Sequence, residues 1–312
     1  MKNASKLMLI FLLLWSKQAL SNKVDELKTD KEVSEFVKTM NPDFAKNKYA
    51  RFEIKATDSI AKYLNCNGIF KSWDIKNWEK ADITNDGLTD LVFVAYWSNY
   101  ISYAFIDMGD NNFKLIQFSK NPFDPCQLVK PIRIGSKNYL KISRKTVVPD
   151  TVSKDRLRYK DVLITDTLVF KFDNFIELSQ LKNPDIEIES IELKTGYCYG
   201  SCPVFEIKLS KNGMANFTGI AYTTQKGESS KRLPRKYFKD VTDLATYIDV
   251  KKLNNNYSVM WTDDQTATLT LTFKDKSKKV IVDYGRQGTF GLSAIYEKLM
   301  RIALQWKELL YQ

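Results

Sequence analysis

The sequence predicts an α+β protein of two domains, each a mainly antiparallel sheet with a few helices, after a cleaved signal peptide. Three observations carry this prediction. Short apolar or alternating runs separated by Gly, Asn and Asp fill the middle and most of the C-terminal part. Helical spacing is confined to a preface, one internal segment and the closing stretch. The 312 residues exceed the roughly 100 to 200 of a usual single domain.

At the start, Lys2 and Lys6 precede an apolar run over residues 7–15, and Ala19-Leu20-Ser21 offers small residues, Ala19 and Ser21, at the positions a signal peptidase reads. Residues 1–21 are therefore expected to be a signal peptide cut after Ser21. The apolar run is about half of the roughly 20 residues that a membrane-spanning helix needs, and no second candidate span follows. No cysteine stands at the cleavage point, which argues against a lipid anchor. The expectation is a mature chain in a bacterial periplasm or outside the cell, with no transmembrane segment.

Loss of Lys2, Lys6 and Lys17 lowers the formal charge from +11 to +8. A balance of this size, spread along the chain, implies solubility and loose attraction to anionic surfaces rather than specific nucleic-acid recognition. The lysine and arginine clusters at residues 226–239 and 274–279 are read as solvated edges and helix faces. An anionic cell-surface polymer or another envelope protein is the expected type of partner.

The N-terminal domain is predicted over residues 22–182. Val33, Phe36 and Val37 lie at helical spacing within 30–40, and 59–64 reads as a second short helix. Strands are predicted at 91–96, 100–106, 113–118, 131–134, 139–143 and 162–172, giving a mostly antiparallel sheet with a helical preface. A polar link at Leu181, Lys182, Asn183, Pro184 and Asp185 marks the boundary. The C-terminal domain, 186–312, reads as strands at 186–193, 203–210 and 215–222, a short edge at 230–233, and a helix from Pro234. A hairpin at 266–273 and 279–284 follows, and then a closing amphipathic helix carrying Ile295, Leu299, Ile302, Trp306 and Leu309.

Cys198 and Cys202 enclose three residues at the mouth of the strand in which Phe205, Ile207 and Leu209 alternate with Glu206, Lys208 and Ser210. Pro203, without an N–H, suits the strand entrance, and Gly196 and Gly200 suit a tight loop. A structural disulfide across so short a loop contributes only about 2 kcal/mol in the chain-entropy model, so it shapes a turn more than it supports a domain. Two alternatives stay open. The pair could serve thiol redox chemistry, although the common motif has two intervening residues and opens a helix. Cys-x3-Cys-Pro also resembles the copper motif of the Sco-type copper chaperones, but that family adds a histidine and this chain has none. Of the three connectivities that four cysteines allow, Cys66 with Cys126 and Cys198 with Cys202 is the simplest.

Residues 81–91 place Asp82, Thr84, Asp86, Leu88 and Asp90 at alternate positions around Gly87. Oxygen donors so spaced, with a glycine for the sharp turn, are what a hard cation needs from one loop. The spacing resembles the calcium loop of FG-GAP and VCBS-type repeats. That resemblance implies Ca2+ held by Asp82, Asp86, Asp90 and the Leu88 carbonyl, with Thr84 in place of the usual Asp or Asn. It covers one loop only, and a propeller needs several. The competing reading is a metal-free turn made by Asn85, Asp86 and Gly87.

The order Cys-x-Gly-x-Cys-Pro-x-aromatic, a strand, Lys-Asn-Gly, a strand ending near Gly219, then Tyr257, Thr262-Asp263 and a hairpin closing on a helix resembles the bacterial domain-of-unknown-function family 6438. The resemblance spans about residues 186–305, with Phe205 where the family usually has Tyr. It implies a domain without an assigned activity, and a recognition surface is expected around Tyr197, Tyr199, Tyr257, Thr262 and Asp263.

Without histidine there is no Ser-His-Asp triad, no Cys-His pair and no histidine-ligated zinc. No glycine-rich phosphate loop appears. Paired acids, Asp263 with Asp264 or Asp240 with Asp243, leave a carboxylate hydrolase as a further alternative. The reading carried forward is a secreted or periplasmic non-enzymatic binding protein with a disulfide-capped turn. A thiol- or copper-handling protein is its rival.

Overall fold

Alternation decides which strand faces meet which layer. The computed structural model describes residues 22–46, 51–64, 66–97, 99–119, 126–149, 159–179, 186–259 and 261–310. The expected signal peptide and the expected boundary at 181–185 both lie outside the described residues. The preface is helical: α1 (Lys23–Glu26), α2 (Asp30–Met40), α3 (Asp43–Lys46), α4 (Thr57–Tyr63) and α5 (Ile69–Ser72). Thr29 caps α2 by accepting from the Glu32 N–H, and Glu32 returns the bond to Thr29 N–H, a reciprocal box that fixes the helix start.

The strands β1 (Trp78–Ala81), β2 (Asp90–Trp97), β3 (Asn99–Asp107) and β4 (Phe113–Gln117) form an antiparallel meander in that order. A second antiparallel sheet follows, made by β5 (Leu128–Ile134), β6 (Lys137–Pro149), β7 (Tyr159–Lys171) and β8 (Asn174–Glu177). One sheet was expected here, and there are two. The reason is visible in β2: Leu91, Phe93 and Ala95 pack with Val33, Phe36 and Val37 of α2, whereas Val92 packs with Leu140, Ile142, Leu168 and Phe175 of the second sheet. A strand covered on both sides reads as a continuous apolar run, and alternation then gives no sign of a second layer.

The C-terminal sheet has seven strands: β9 (Ile188–Thr195), β10 (Val204–Ser210), β11 (Met214–Ala221), β12 (Gly227–Arg232), β13 (Asn256–Ser258), β14 (Thr266–Phe273) and β15 (Lys278–Tyr284). Their order is β12-β11-β10-β9-β14-β15-β13, antiparallel except for β13, which runs parallel to β15. The helices α6 (Arg235–Tyr247) and α7 (Phe290–Leu304) cover one face. Ile191, Leu193, Phe205, Ile207, Leu269 and Leu271 point toward them, and Trp306 beyond α7 stacks on Phe217 with ring centroids 5.1 Å apart. The fold is thus mixed α+β with mainly antiparallel sheets, as the sequence predicts. The three-residue β13 escapes prediction because it is too short to show alternation.

β8 joins the layers. Ile176 lies in the core of the seven-stranded sheet, while its neighbour Phe175 lies in the core between the two four-stranded sheets, together with Phe290 of α7. Glu177 then caps α7: its two carboxylate oxygens accept from the Phe290 and Gly291 N–H groups at 2.6 and 2.8 Å. These donors at a helix start have no intrahelical partner, so a carboxylate there both satisfies them and meets the positive end of the helix dipole. No helix among the described residues is long and apolar enough to cross a membrane.

Candidate functional site

The cysteine turn sits between the end of β9 and the start of β10, and three polar residues fasten it. Thr195, at the end of β9, donates its hydroxyl to the Pro203 carbonyl at 2.8 Å and accepts from Phe205 N–H at 3.0 Å. Gln265, fully buried, donates its amide to the carbonyls of Gly196 and Pro203 at 2.9 and 2.8 Å, tying the two ends of the turn together. Tyr199 N–H donates to the Asp263 carbonyl at 2.9 Å, which attaches the tip of the turn to the loop before β14. Cys198 and Cys202 are bridged within this frame. Gly200, at φ +139°, is where the tight backbone needs glycine; Gly196 has no such φ and serves through its backbone bonds to Thr266 and Gln265.

This clamp holds two aromatic side chains in solvent. Tyr197 is 65% exposed and Tyr199 89% exposed. Val204 pairs with Ala221, so the end of β11 runs beside the turn, and its flanking Ile220 and Tyr222 are exposed as well. Asp263 joins the turn through its carbonyl, and Thr262 donates its hydroxyl to the Asp263 carboxylate at 3.2 Å. Tyr257 lies apart from this group. It sits on β13, its hydroxyl accepts from Asn254 N–H at 3.2 Å, and its ring borders Gly288 before α7. Burial raises its phenol above the ordinary range.

The paired acids have local duties. Asp264 accepts from the Trp261 indole at 3.1 Å and from Gln265 N–H at 2.7 Å, and Asp243 pairs with Lys239 one turn earlier on α6.

In the 82–90 loop, Asp82 accepts from the N–H groups of Asp86 and Gly87 at 3.1 and 3.0 Å, and Asp86 from that of Leu88 at 2.9 Å. Thr84 donates its hydroxyl to Asp82 at 3.4 Å. Asp90 has turned inward: it is fully buried and accepts from the N–H groups of Ile83, Thr84 and Asp107. Burial, reinforced by the charges of Asp86 and Asp82, pushes its carboxyl up to about 7. The loop is closed by its own hydrogen bonds. Among the described residues no three acidic side chains gather as a metal cage.

Cys66 and Cys126 form the second bridge, 60 residues apart in sequence. Cys66 and Asn67 adopt left-handed backbone at φ +49° and +57° just before α5, a conformation that nothing in their local sequence announces.

These features define a mixed α+β chain with a disulfide-closed turn at one end of its seven-stranded sheet. Residues 189–303 match the model of a family described as a domain of unknown function (DUF6438), in agreement with the resemblance carried by the cysteine motif. No curated protein and no solved structure matches the chain. The match takes in the seven-stranded sheet and both of its helices from Glu189 onward and leaves the two four-stranded sheets outside it.

Sequence reasoning did not bring together Lys114, Asn174 and Arg286, which line one cleft. They are far apart in the chain and belong to no motif, so only the meeting of β4, β8, the turn after β15 and α7 unites them.

Proposed function

We propose that the protein is a secreted or periplasmic, non-enzymatic binding protein that presents Tyr197 and Tyr199 on the disulfide-closed turn to another envelope component. The carrying observation is the exposure of both tyrosines on a turn fastened by Thr195, Gln265 and the Cys198–Cys202 bridge. Large aromatics that lose little freedom on contact are characteristic of recognition surfaces. An extracytoplasmic location agrees with two disulfides, which persist in oxidising compartments. Asn22, the first residue after the expected cleavage point, is nearly buried and binds Thr89 and Asp107 through its side chain, so a chain cut at that point would start anchored.

A photo-crosslinking residue placed at Tyr199 in the producing cells is expected to give a discrete adduct. The same residue placed at Ser230, on the β12 edge, should give none. Absence of an adduct at Tyr199 would sink the proposal. Thiol trapping distinguishes the rival: a Cys198–Cys202 pair that reduces near about −200 mV, rather than below about −300 mV, belongs to a thiol- or metal-handling protein. The 82–90 loop has its own measurement. A rise in melting temperature in about 1 mM calcium that Asp86→Asn removes is what its donor set predicts. An unchanged melt would mean that hydrogen bonds alone close the loop.

A further inference from the structure

A cleft of about 400 Å³ opens where β4, β8, the turn after β15 and α7 meet. This size is within the range of small-molecule sites. Phe118, Phe175, Phe290 and Met300 supply apolar wall, and Lys114 and Arg286 supply positive charge. Three sheets contribute to it, so it exists only in the assembled fold.

Arg286 is the informative residue. Among the described residues its buried Nε–H meets no acceptor, and Nη1 donates to the Met300 thioether, 3.2 Å away. A guanidinium offers five donors suited to a planar oxyanion, and a thioether is a weak acceptor. The neighbouring acids have partners of their own: Asp283 accepts from the N–H groups of Gln287 and Gly288, Glu177 caps α7, and Glu297, which lines the same cleft, accepts from the Asn174 amide at 2.7 Å. Burial lowers the Lys114 ammonium below its ordinary range, and the charges around it are mixed, Glu297 and Asp173 against Arg301 and Lys298.

The backbone holds this arginine in an unusual place. Arg286 has φ +52° and follows Gly285 at φ +87°, where a Cβ would come within 2.7 Å of Val259. A non-glycine residue kept in the left-handed region persists only where its surroundings over-determine it, and such positions cluster at ligand sites.

We propose that this cleft binds a small organic carboxylate, its oxyanion seated on Arg286 with Lys114 nearby and its apolar body against Phe118, Phe175 and Phe290. The occupant meets the guanidinium where it borders the cleft, giving it an oxyanion partner in place of the weak thioether acceptor, and the aromatic walls shield the pair from water. The site is independent of the cysteine turn and of the reading built on it.

Benzoate, with benzamide as its neutral counterpart, is the probe. Titration of the full chain, followed by ligand-observed NMR, is expected to show benzoate binding at least about tenfold tighter than benzamide, the loss expected when a charge-assisted pair is replaced by a neutral one. Arg286→Met should remove the preference and Arg286→Lys should restore part of it. Phenylglyoxal labelling of the unmodified chain, read at Arg286 by peptide mass spectrometry, should slow in benzoate and not in benzamide. This second readout needs no variant to fold. Equal binding of the two probes, no binding of benzoate, or labelling of Arg286 unaffected by benzoate would each overturn the proposal.

Discussion

Asp90 is a carboxylate at zero exposure, and its effect on stability runs against that of a surface acid. Its folded-state pKa of about 7 lies above the ordinary 3.8, so the folded chain holds a proton that the unfolded chain releases. Stability from this residue is therefore full below the unfolded value and falls as pH rises through about 7. Urea unfolding should show greater stability at pH 5 than at pH 8, by up to roughly 2.5 kcal/mol from this group, about 1.4 kcal/mol for each pH unit between 5 and the folded value. Asp90→Asn should flatten the difference, and a pH dependence that survives the variant would refute the assignment. The same residue shows where motif reading stopped. Spacing identified the loop and its acids, but which of them faces the core is set by Ile83, Thr84 and Asp107, and no spacing rule contains that. The disulfide-bridged turn was legible from its cysteines, glycines and proline, but neither the exposure of Tyr199 nor the placement of Tyr257 on β13, beyond β15, is contained in the sequence spacing.

Among the elements, the two bridges differ in what they close. Cys66–Cys126 spans 60 residues and ties the segment before α5 to the lead-in of β5, whereas Cys198–Cys202 spans four. In the chain-entropy model the first is worth about 4 kcal/mol and the second about 2. Replacing both cysteines of each pair with serine should therefore lower the urea midpoint more for the first pair than for the second. Proteolysis of the 66–126 variant should begin within the N-terminal sheets, and equal losses for the two variants would contradict this ranking. Elements with strict period were readable: β14 was predicted at 266–273 and is Thr266–Phe273, and α2 was predicted at 30–40 and is Asp30–Met40. Their alternating or helical faces each meet one core. β1 and β8, four residues each, were missed because each pairs with only one neighbouring strand and carries too few residues to show a pattern.

At the scale of the molecule, the layers meet through β8 and α7. Glu177→Ala removes the acceptor of two N–H groups at the start of α7 and should cost about 1 to 3 kcal/mol. Amide exchange at Phe290 and Gly291 should accelerate, with Glu177→Gln intermediate. Unchanged exchange would show that Thr289, which accepts from Leu292 N–H, holds the helix start without help. The cross-layer cap was not legible because Glu177 and Phe290 lie 113 residues apart, and the order of the seven-stranded sheet was not because β9 pairs with the distant β14 as well as with β10, Ile188 standing opposite Phe273.

The cap also bears on how this unit can travel between genes. The stretch that matches the family runs from Glu189 to Ala303, yet the acid that finishes its last helix is Glu177, and Trp306, which stacks on its Phe217, lies just past the other end. A recombination that moved only the matched residues would carry a helix with bare donors and a sheet with an uncovered ring. A segment that replaced the two N-terminal sheets would have to bring its own acceptor to the same spot, or leave these two donors to water.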